Sequence, residues 1–319
     1  MSIKSVQTAE TINKQLERLL PVLFPFGIVL GFIMPGVFGY LRPLVIWLFA
    51  VMTLSGALKL KVSEFGCTIR SPIPIVAFLL TTRVIMPSIT LLAASVFFGG
   101  SPYTVTGFVL LFSGPTAVAS FIWVGMFKGD RALGLTLVLL DTILAPLVVP
   151  TTVSLLMGET VAMNMGGIAL SLLWMVVVPT IVGVVVNETS KGKIPAIVCP
   201  YLNPISKIFL MLVISANTSA VAPTITLGDP MLWKVAALSV ALAAIGFTLA
   251  KLSGIAARCN PEKRVTLFFS GGLKNISAMA TITVAFFPEA AALPIITGIL
   301  FQQIMAAIMS KLLMRKAHS

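Results

Sequence analysis

Two long apolar stretches of this chain are interrupted at their centres by residues that break helices. The first, residues 103–127, contains SGPT at 113–116, and the second, residues 265–287, contains SGGLKN at 270–275. Each stretch is long enough to cross a bilayer, where an unpaired backbone N–H or C=O group costs several kcal/mol. A helix can unwind at this depth only where the break lines a polar cavity. The two breaks therefore predict a binding site made from two interrupted helices.

Apolar runs of about 20 residues recur along the whole chain. The 319 residues are 58% hydrophobic and only 10% charged, and the mean hydropathy is +1.05. A soluble domain has about 25% charged residues, so this composition excludes one. The sequence predicts an all-α integral membrane protein with ten transmembrane helices, near 19–40, 43–60, 73–98, 103–127, 132–156, 163–186, 205–222, 231–257, 265–287 and 291–313.

The positive charges give an independent test of these spans. If the N-terminus is cytoplasmic, seventeen of the 22 lysines and arginines fall in cytoplasmic segments, and only Arg42 and Lys234 fall outside. The positive-inside rule then predicts a cell (inner) membrane protein with both termini in the cytoplasm. This distribution and anionic lipid explain the net charge of +12, so we expect the lipid bilayer and no nucleic acid as a partner.

Ten spans divide into two halves of five. Because an odd number of crossings reverses direction, a duplicated half must run inverted, and each break lies in the fourth span of its half. We therefore predict two inverted repeats of five helices. The predicted segments of this single membrane domain are a cytoplasmic lead-in at 1–18, a first repeat continuing into the sixth span at 19–186, a cytoplasmic linker at 187–203, spans seven to ten at 204–313 and a cytoplasmic tail at 314–319.

The residue types at the breaks favour an anion site. Pro115 has no N–H and suits the first turn of a new helix, and glycine lets the backbone approach a ligand. The half-helices after each break direct the positive ends of their dipoles at the protein centre. The sequence therefore indicates a secondary transporter with a place for an anion between the two breaks. The residues predicted to bind the substrate are Ser113, Gly114, Pro115, Thr116, Ser120, Gly271, Gly272, Lys274, Asn275 and Ser277.

Three charged residues lie near the middle of predicted spans, namely Arg83, Asp141 and Lys274. Ionisable groups are costly in the membrane and mark functional sites by default. A structural ion pair that only fixes helix packing is the alternative. We expect Lys274 to attract the anionic substrate and to pair with Asp141 when no substrate is bound. The residues predicted to serve in coupling or ion pairing are Lys274, Asp141, Arg83, Thr82 and Ser270.

Four segments of the chain, residues 43–65, 85–87, 119–150 and 260–275, resemble the bile acid:sodium symporter family. The likeness extends over nearly the whole chain. It implies a core domain and a panel domain, discontinuous helices that cross at spans four and nine, and alternating access for an organic anion.

The chain departs from the family's sodium-dependent members where the resemblance implies ion ligands. Phe121 stands in place of an asparagine, Ser270 in place of a glutamate and Lys274 in place of a glutamine. Sodium prefers hard oxygen ligands, and a fixed ammonium repels it. We therefore expect no cofactor, degraded sodium sites with Lys274 standing in for the cation, and a proton as the alternative coupling ion. Hydroxyl residues and a polar amide are also replaced, at Gly134, Val138 and Thr82.

Other functions stay open or are disfavoured. A sodium-coupled organic anion symporter with rearranged ion sites is the main alternative. A metalloid exporter of the arsenite permease type would need a thiol in span four, which has none. We expect no enzyme, because the spans carry no Ser/His, paired-Asp or His-metal arrangement, and the single histidine is His318. Cys67, Cys199 and Cys259 are too isolated for a disulfide framework or a metal site. The oligomeric state is left open.

Overall fold

The structure is a computed structural model that describes residues 3–60, 72–158, 161, 163–224 and 228–314. Within these residues every regular element is a helix, which confirms the predicted all-α class. The chain divides into two compact units. The first unit comprises Met1–Val62 and Ser171–Pro223, and the second comprises Ser63–Leu170 and Thr224–Ser319.

The helices are numbered along the chain. They are α1 (Ile3–Ile33), α2 (Pro35–Gly39), α3 (Val45–Ala57), α4 (Pro72–Leu80), α5 (Met86–Phe98), α6 (Pro102–Ser113), α7 (Ala119–Met126), α8 (Arg131–Met157), α9 (Met165–Leu172), α10 (Val178–Thr189), α11 (Lys193–Val221), α12 (Pro230–Ala256), α13 (Pro261–Gly272), α14 (Ile276–Phe286) and α15 (Glu289–Met314). A π turn at Thr81–Ile85 joins α4 to α5, and another at Leu173–Val177 joins α9 to α10.

Five helices in the described part of the chain are long and apolar enough to cross a membrane. They are Pro72–Phe98, Arg131–Met157, Met165–Thr189, Lys193–Val221 and Pro230–Ala256. A sixth candidate, Glu289–Gln302 with Ile304–Leu312, bends by 54°. The predicted spans four and nine are each divided at the break into two shorter helices. Neither is therefore long enough to be counted among the membrane-crossing helices. The ten-span arrangement stays a prediction.

The predicted segments outside the spans are partly helical. Helix α1 begins at Ile3, so it runs through most of the lead-in predicted at 1–18. Helix α11 begins at Lys193 and occupies most of the segment 187–203, which was predicted as a linker. Apart from Met314, the predicted tail at 314–319 lies outside the described residues, and so do Cys67 and His318.

Close backbone contacts hold the first unit together. A Cβ atom added to Gly31 of α1 would lie 2.5 Å from the carbonyl oxygen of Ser215 in α11. The side-chain amide of Asn187 in α10 donates a 2.7 Å hydrogen bond to the carbonyl of Leu60, just beyond α3. Small residues permit such approaches between membrane helices. Helices α1, α3, α10 and α11 therefore pack as one bundle.

Helix α6 lies in the interior of the second unit. Every residue from Thr104 to Ser113 is buried, and the helix packs against α5, α8 and α15. The contact with α15 is made at Gly107, where an added Cβ atom would lie 2.1 Å from the carbonyl oxygen of Ala291. A backbone atom cannot move aside as a flexible side chain can. Position 107 therefore requires glycine.

Gly107→Ala should lower the thermal stability of the detergent-solubilised protein. Overpacking of this kind costs about 1–3 kcal/mol, because the two helices must separate to admit the methyl group. Gly125→Ala in α7 is the matched control, since nothing lies within 4 Å of an added Cβ atom there. The melting temperature of each variant measures the effect. Equal melting temperatures for the two variants would contradict the close contact.

Candidate functional site

Both apolar stretches singled out in the sequence unwind in the second unit. Helix α6 ends at Ser113 and α7 begins at Ala119, while α13 ends at Gly272 and α14 begins at Ile276. Gly114 follows α6 with an extended backbone, φ −58° and ψ 153°. The unwound segments are residues 114–118 and 273–275, and together they are called the crossing below.

The two segments of the crossing pair with each other as antiparallel extended chains. Thr116 and Lys274 form the bridge. The Ala117 N–H donates to the carbonyl of Leu273 at 3.0 Å, and the Asn275 N–H donates to the carbonyl of Pro115 at 2.7 Å. Backbone groups released by the two helix breaks thus satisfy one another, which removes much of the cost of unwinding in lipid.

The remaining N–H groups of the bridged residues are satisfied by side chains. The Thr116 N–H donates to Oδ2 of Asp141 in α8 at 2.6 Å. The Lys274 N–H donates to Oε1 of Gln302 in α15 at 3.0 Å. Each acceptor comes from the long helix that follows its own break. Gln302 was not predicted, although a polar amide within the apolar tenth span was an available signal.

Asp141 forms a buried ion pair with Arg83. The Nε atom of Arg83 donates to Oδ1 of Asp141 at 2.8 Å, and Nη2 contacts the same oxygen. Nη1 donates to the carbonyl of Ser113, the last residue of α6. In the structure Asp141 therefore pairs with Arg83, whereas the sequence suggested a pair with Lys274.

Lys274 is the exception among the charged groups at the crossing. Its side chain is buried, with 3% of the residue exposed, and Nζ has no hydrogen-bond partner within the described ranges. Arg83 is neutralised by Asp141, so a protonated Lys274 leaves one positive charge in excess. The hydroxyls of Ser113, Ser120 and Ser270 are likewise buried without partners in that part of the chain. An ammonium is a donor of the kind that binds a ligand which accepts hydrogen bonds and carries negative charge.

Packing explains the glycines of the second break. An added Cβ atom at Gly271 would lie 2.7 Å from Cβ of Ala250, and one at Gly272 would lie 2.1 Å from the ring of Phe247. Both contacts are made with α12. At the first break an added Cβ atom on Gly114 would lie 2.6 Å from the Met279 side chain. These glycines have packing partners, whereas the sequence suggested that they admit a ligand.

Local hydrogen bonds account for three other predicted residues. The Oδ1 atom of Asn275 accepts from the Ala278 N–H at 3.2 Å and caps helix α14. The hydroxyl of Thr116 donates to the carbonyl of Ser270 at 2.8 Å. The hydroxyl of Thr82 donates within its own helix to the Phe78 carbonyl at 2.9 Å. Ser277 lies in the first turn of α14 and is half-buried.

Phe121 and Gly134 are neighbours. The guanidinium carbon of Arg131 lies 5.2 Å from the centre of the Phe121 ring. An added Cβ atom at Gly134 would lie 3.5 Å from the same ring. An aromatic ring with a cation on its face therefore occupies the region next to position 134.

Similar proteins are known. Residues 12–226 match the sequence model of the Sodium Bile acid symporter family, and the matched range ends before the second break. The uncharacterized protein YbaS of Bacillus subtilis (strain 168) is 36% identical over 296 residues, which cover 93% of this chain and 97% of YbaS.

More distant relatives are described as transporters. The probable sodium/metabolite cotransporter BASS2, chloroplastic, of Oryza sativa subsp. japonica is 28% identical over 261 residues, covering 78% of this chain and 61% of BASS2. The uncharacterized sodium-dependent transporter YocS of Bacillus subtilis (strain 168) is 24% identical over 269 residues, covering 83% of this chain and 81% of YocS.

Proposed function

Because this chain belongs to the sodium bile acid symporter family and is a secondary transporter of the membrane, not an enzyme, we propose that it carries a small organic anion by alternating access. The substrate binds at the crossing in this proposal. The protein lies in the cell (inner) membrane, with both termini in the cytoplasm, and the first unit is the panel domain and the second the core domain.

The hydrogen bonds around the crossing support two inverted repeats within ten spans. Thr116 at the first break donates to Asp141, 25 residues later, and Lys274 at the second break donates to Gln302, 28 residues later. The same relation thus holds at both breaks, between an extended residue and the next long helix. Antiparallel pairing of the two segments agrees with repeats that run in opposite directions.

The observation that carries the anion proposal is the buried ammonium of Lys274. It lies in the unwound segment of the second break and lacks a hydrogen-bond partner in the described residues. An unpaired charge in such a site is costly, and a bound carboxylate provides both the opposite charge and the hydrogen-bond acceptor. Binding a substrate of this chemistry therefore relieves the cost of burying Lys274.

The ammonium of Lys274 argues against a sodium ion at the crossing. Sodium binds hard oxygen ligands, and Lys274 presents an ammonium instead. Phe121, with Arg131 at its face, stands where an amide ligand would be needed. We propose that Lys274 provides the positive charge of the missing ion and that a proton bound together with the substrate provides coupling.

A second candidate is a sodium-coupled symporter with rearranged ion sites. The sodium-coupled candidate is favoured by two relatives, since YocS is described as sodium-dependent and BASS2 as a probable sodium/metabolite cotransporter. The two candidates differ in one measurable property, which is the dependence of uptake on external sodium.

Uptake of a panel of small organic acids into proteoliposomes tests the proposal. We expect a transported acid to enter equally well in sodium, potassium or choline, and to accumulate only when a proton gradient is present. Sodium, pH and voltage are varied separately, and protein-free liposomes give the background. A saturable sodium requirement would establish the second candidate, and an absence of uptake for every acid would reject the anion class.

A further inference from the structure

We propose that the Arg83–Asp141 pair is an internal brace that positions the crossing, which makes Arg83 a positioning residue for the substrate. The inference rests on the proposed function in one respect, namely that the crossing binds the substrate. The geometry of the brace itself stands on contacts within the second unit.

The pair spans the first break. Arg83 donates to the carbonyl of Ser113, at the end of α6, while Asp141 accepts the N–H of Thr116, in the middle of the unwound segment. Arg83 and Asp141 are joined to each other by two contacts from the guanidinium. One buried ion pair therefore fixes the chain on both sides of Gly114 and Pro115.

The polarity of the pair matches the polarity of the backbone it holds. The last carbonyls of α6 form the negative end of a helix dipole, and a guanidinium donates to one of them. The free N–H group of Thr116 is a donor, and a carboxylate accepts from it. Exchanging the two charges would place a carboxylate against a carbonyl and a guanidinium against an N–H.

Pro87 accounts for the unusual backbone around Arg83. Pro87 lacks an N–H and cannot donate to the carbonyl of Arg83, four residues earlier. The helix widens there into the π turn, in which the Met86 N–H donates to the Thr81 carbonyl. Such turns are rare and occur often at functional sites. Arg83 lies within this turn and is buried, although charged residues are seldom found in the membrane.

The brace controls Lys274 through the bridge. Thr116, which Asp141 holds, is the residue that pairs with Lys274. On its own side the Lys274 N–H donates to a neutral amide, that of Gln302. Loosening the first segment therefore displaces the ammonium that binds the substrate, without changing any group that touches the substrate.

Transport kinetics test the positioning role. Arg83→Gln and Asp141→Asn should each raise the KM for substrate by about tenfold or more, with a smaller effect on the maximal rate, because the binding geometry is lost first. Arg83→Lys should have a KM between those of these variants and that of the wild type. An ammonium lacks the planar set of N–H donors with which the guanidinium contacts the carbonyl and the carboxylate together. The exchanged variant, Arg83→Asp with Asp141→Arg, should not recover the wild-type KM.

A pair that merely neutralises charge would be restored by the exchange, so recovery of KM in the exchanged variant overturns the proposal. Removing one partner leaves a buried unpaired charge and can prevent folding. The double variant Arg83→Met with Asp141→Met avoids this, because it removes both charges together. It should fold and still show the raised KM, and a wild-type KM would reject Arg83 as a positioning residue.

Cross-linking tests the brace in the absence of substrate. Thr116 and Lys274 form the non-hydrogen-bonded pair of an antiparallel bridge, a geometry with Cα atoms about 4.5 Å apart. That separation permits a disulfide. With the native cysteines replaced, Thr116→Cys with Lys274→Cys should cross-link readily under an oxidant. Adding Arg83→Gln should slow the reaction about tenfold, whereas the exposed-arginine control Arg258→Gln should not.

The two measurements separate the brace from the proposed function. An unchanged cross-linking rate in the Arg83→Gln background overturns the brace, whatever the protein transports. Slower cross-linking together with a raised KM supports both. Slower cross-linking with a wild-type KM leaves the brace intact as geometry but rejects the crossing as the substrate site, and therefore rejects Arg83 as a positioning residue.

Discussion

Lys274→Gln should abolish concentrative uptake of the substrate and, at the same time, raise the thermal stability of the protein. These opposite effects have one cause. The ammonium is buried without a hydrogen-bond partner in the described part of the chain, so the folded protein bears its desolvation cost. If Lys274 is charged in the substrate-free protein, removing the charge relieves that cost and should stabilise the protein by about 1–3 kcal/mol. If Lys274 instead takes up the coupled proton together with the substrate, it is neutral beforehand and the gain in stability should be small.

Substrate binding should change in the other direction. A hydrogen bond to a charged group contributes about 1.5–3 kcal/mol, so its loss should weaken binding about 10- to 150-fold. If Lys274 also carries the coupled proton, the residual binding of Lys274→Gln should not vary with pH. If the lysine only binds the anion, binding should weaken equally at every pH.

Thermal unfolding in detergent and substrate binding over a pH series measure both effects. Lys207→Gln is the matched control, because Lys207 belongs to the first unit and donates to Asn13. It should change neither binding nor the pH profile. A Lys274→Gln variant that binds and accumulates substrate like the wild type, with the same pH profile, would show that Lys274 is structural.

Pro115→Leu and Gly271→Val should each abolish transport. Leucine supplies an N–H and permits α6 to continue through the break, which would remove the extended segment that pairs with Asn275. Valine at 271 would collide with Ala250, where an added Cβ atom already lies 2.7 Å away, and would push α13 from α12. Both variants should also lose stability, the first because the groups that residues 114–118 satisfy lose their partners, and the second because of the collision.

Uptake and melting temperature are measured together for these variants. Gly246→Ala in α12 is the control, since the nearest atoms to an added Cβ belong to the flexible side chain of Met86, at 3.7 Å. It should transport like the wild type. If Pro115→Leu and Gly271→Val transport normally, the binding site lies elsewhere.

The sequence by itself determined the helical class, the apolar spans and the positions of the two breaks. These properties depend on the local chain: a run of apolar residues favours a membrane helix, and Pro115 cannot donate the hydrogen bond that would continue one. The structure has unwound segments at 114–118 and 273–275, in the stretches where the sequence carries Gly and Pro. The number of spans and the inverted repeat remain predictions.

Only the tertiary structure decided which groups contact one another. The sequence suggested that Lys274 pairs with Asp141, but in the structure Arg83 pairs with Asp141, and Nζ of Lys274 has no hydrogen-bond partner in the described residues. The hydrogen bond between the Lys274 N–H and Gln302 is likewise seen only in the structure. Helix propensity and hydropathy act between neighbours in the chain. Partner choice depends on how helices separated by 25 or more residues are packed, and no local pattern encodes that geometry.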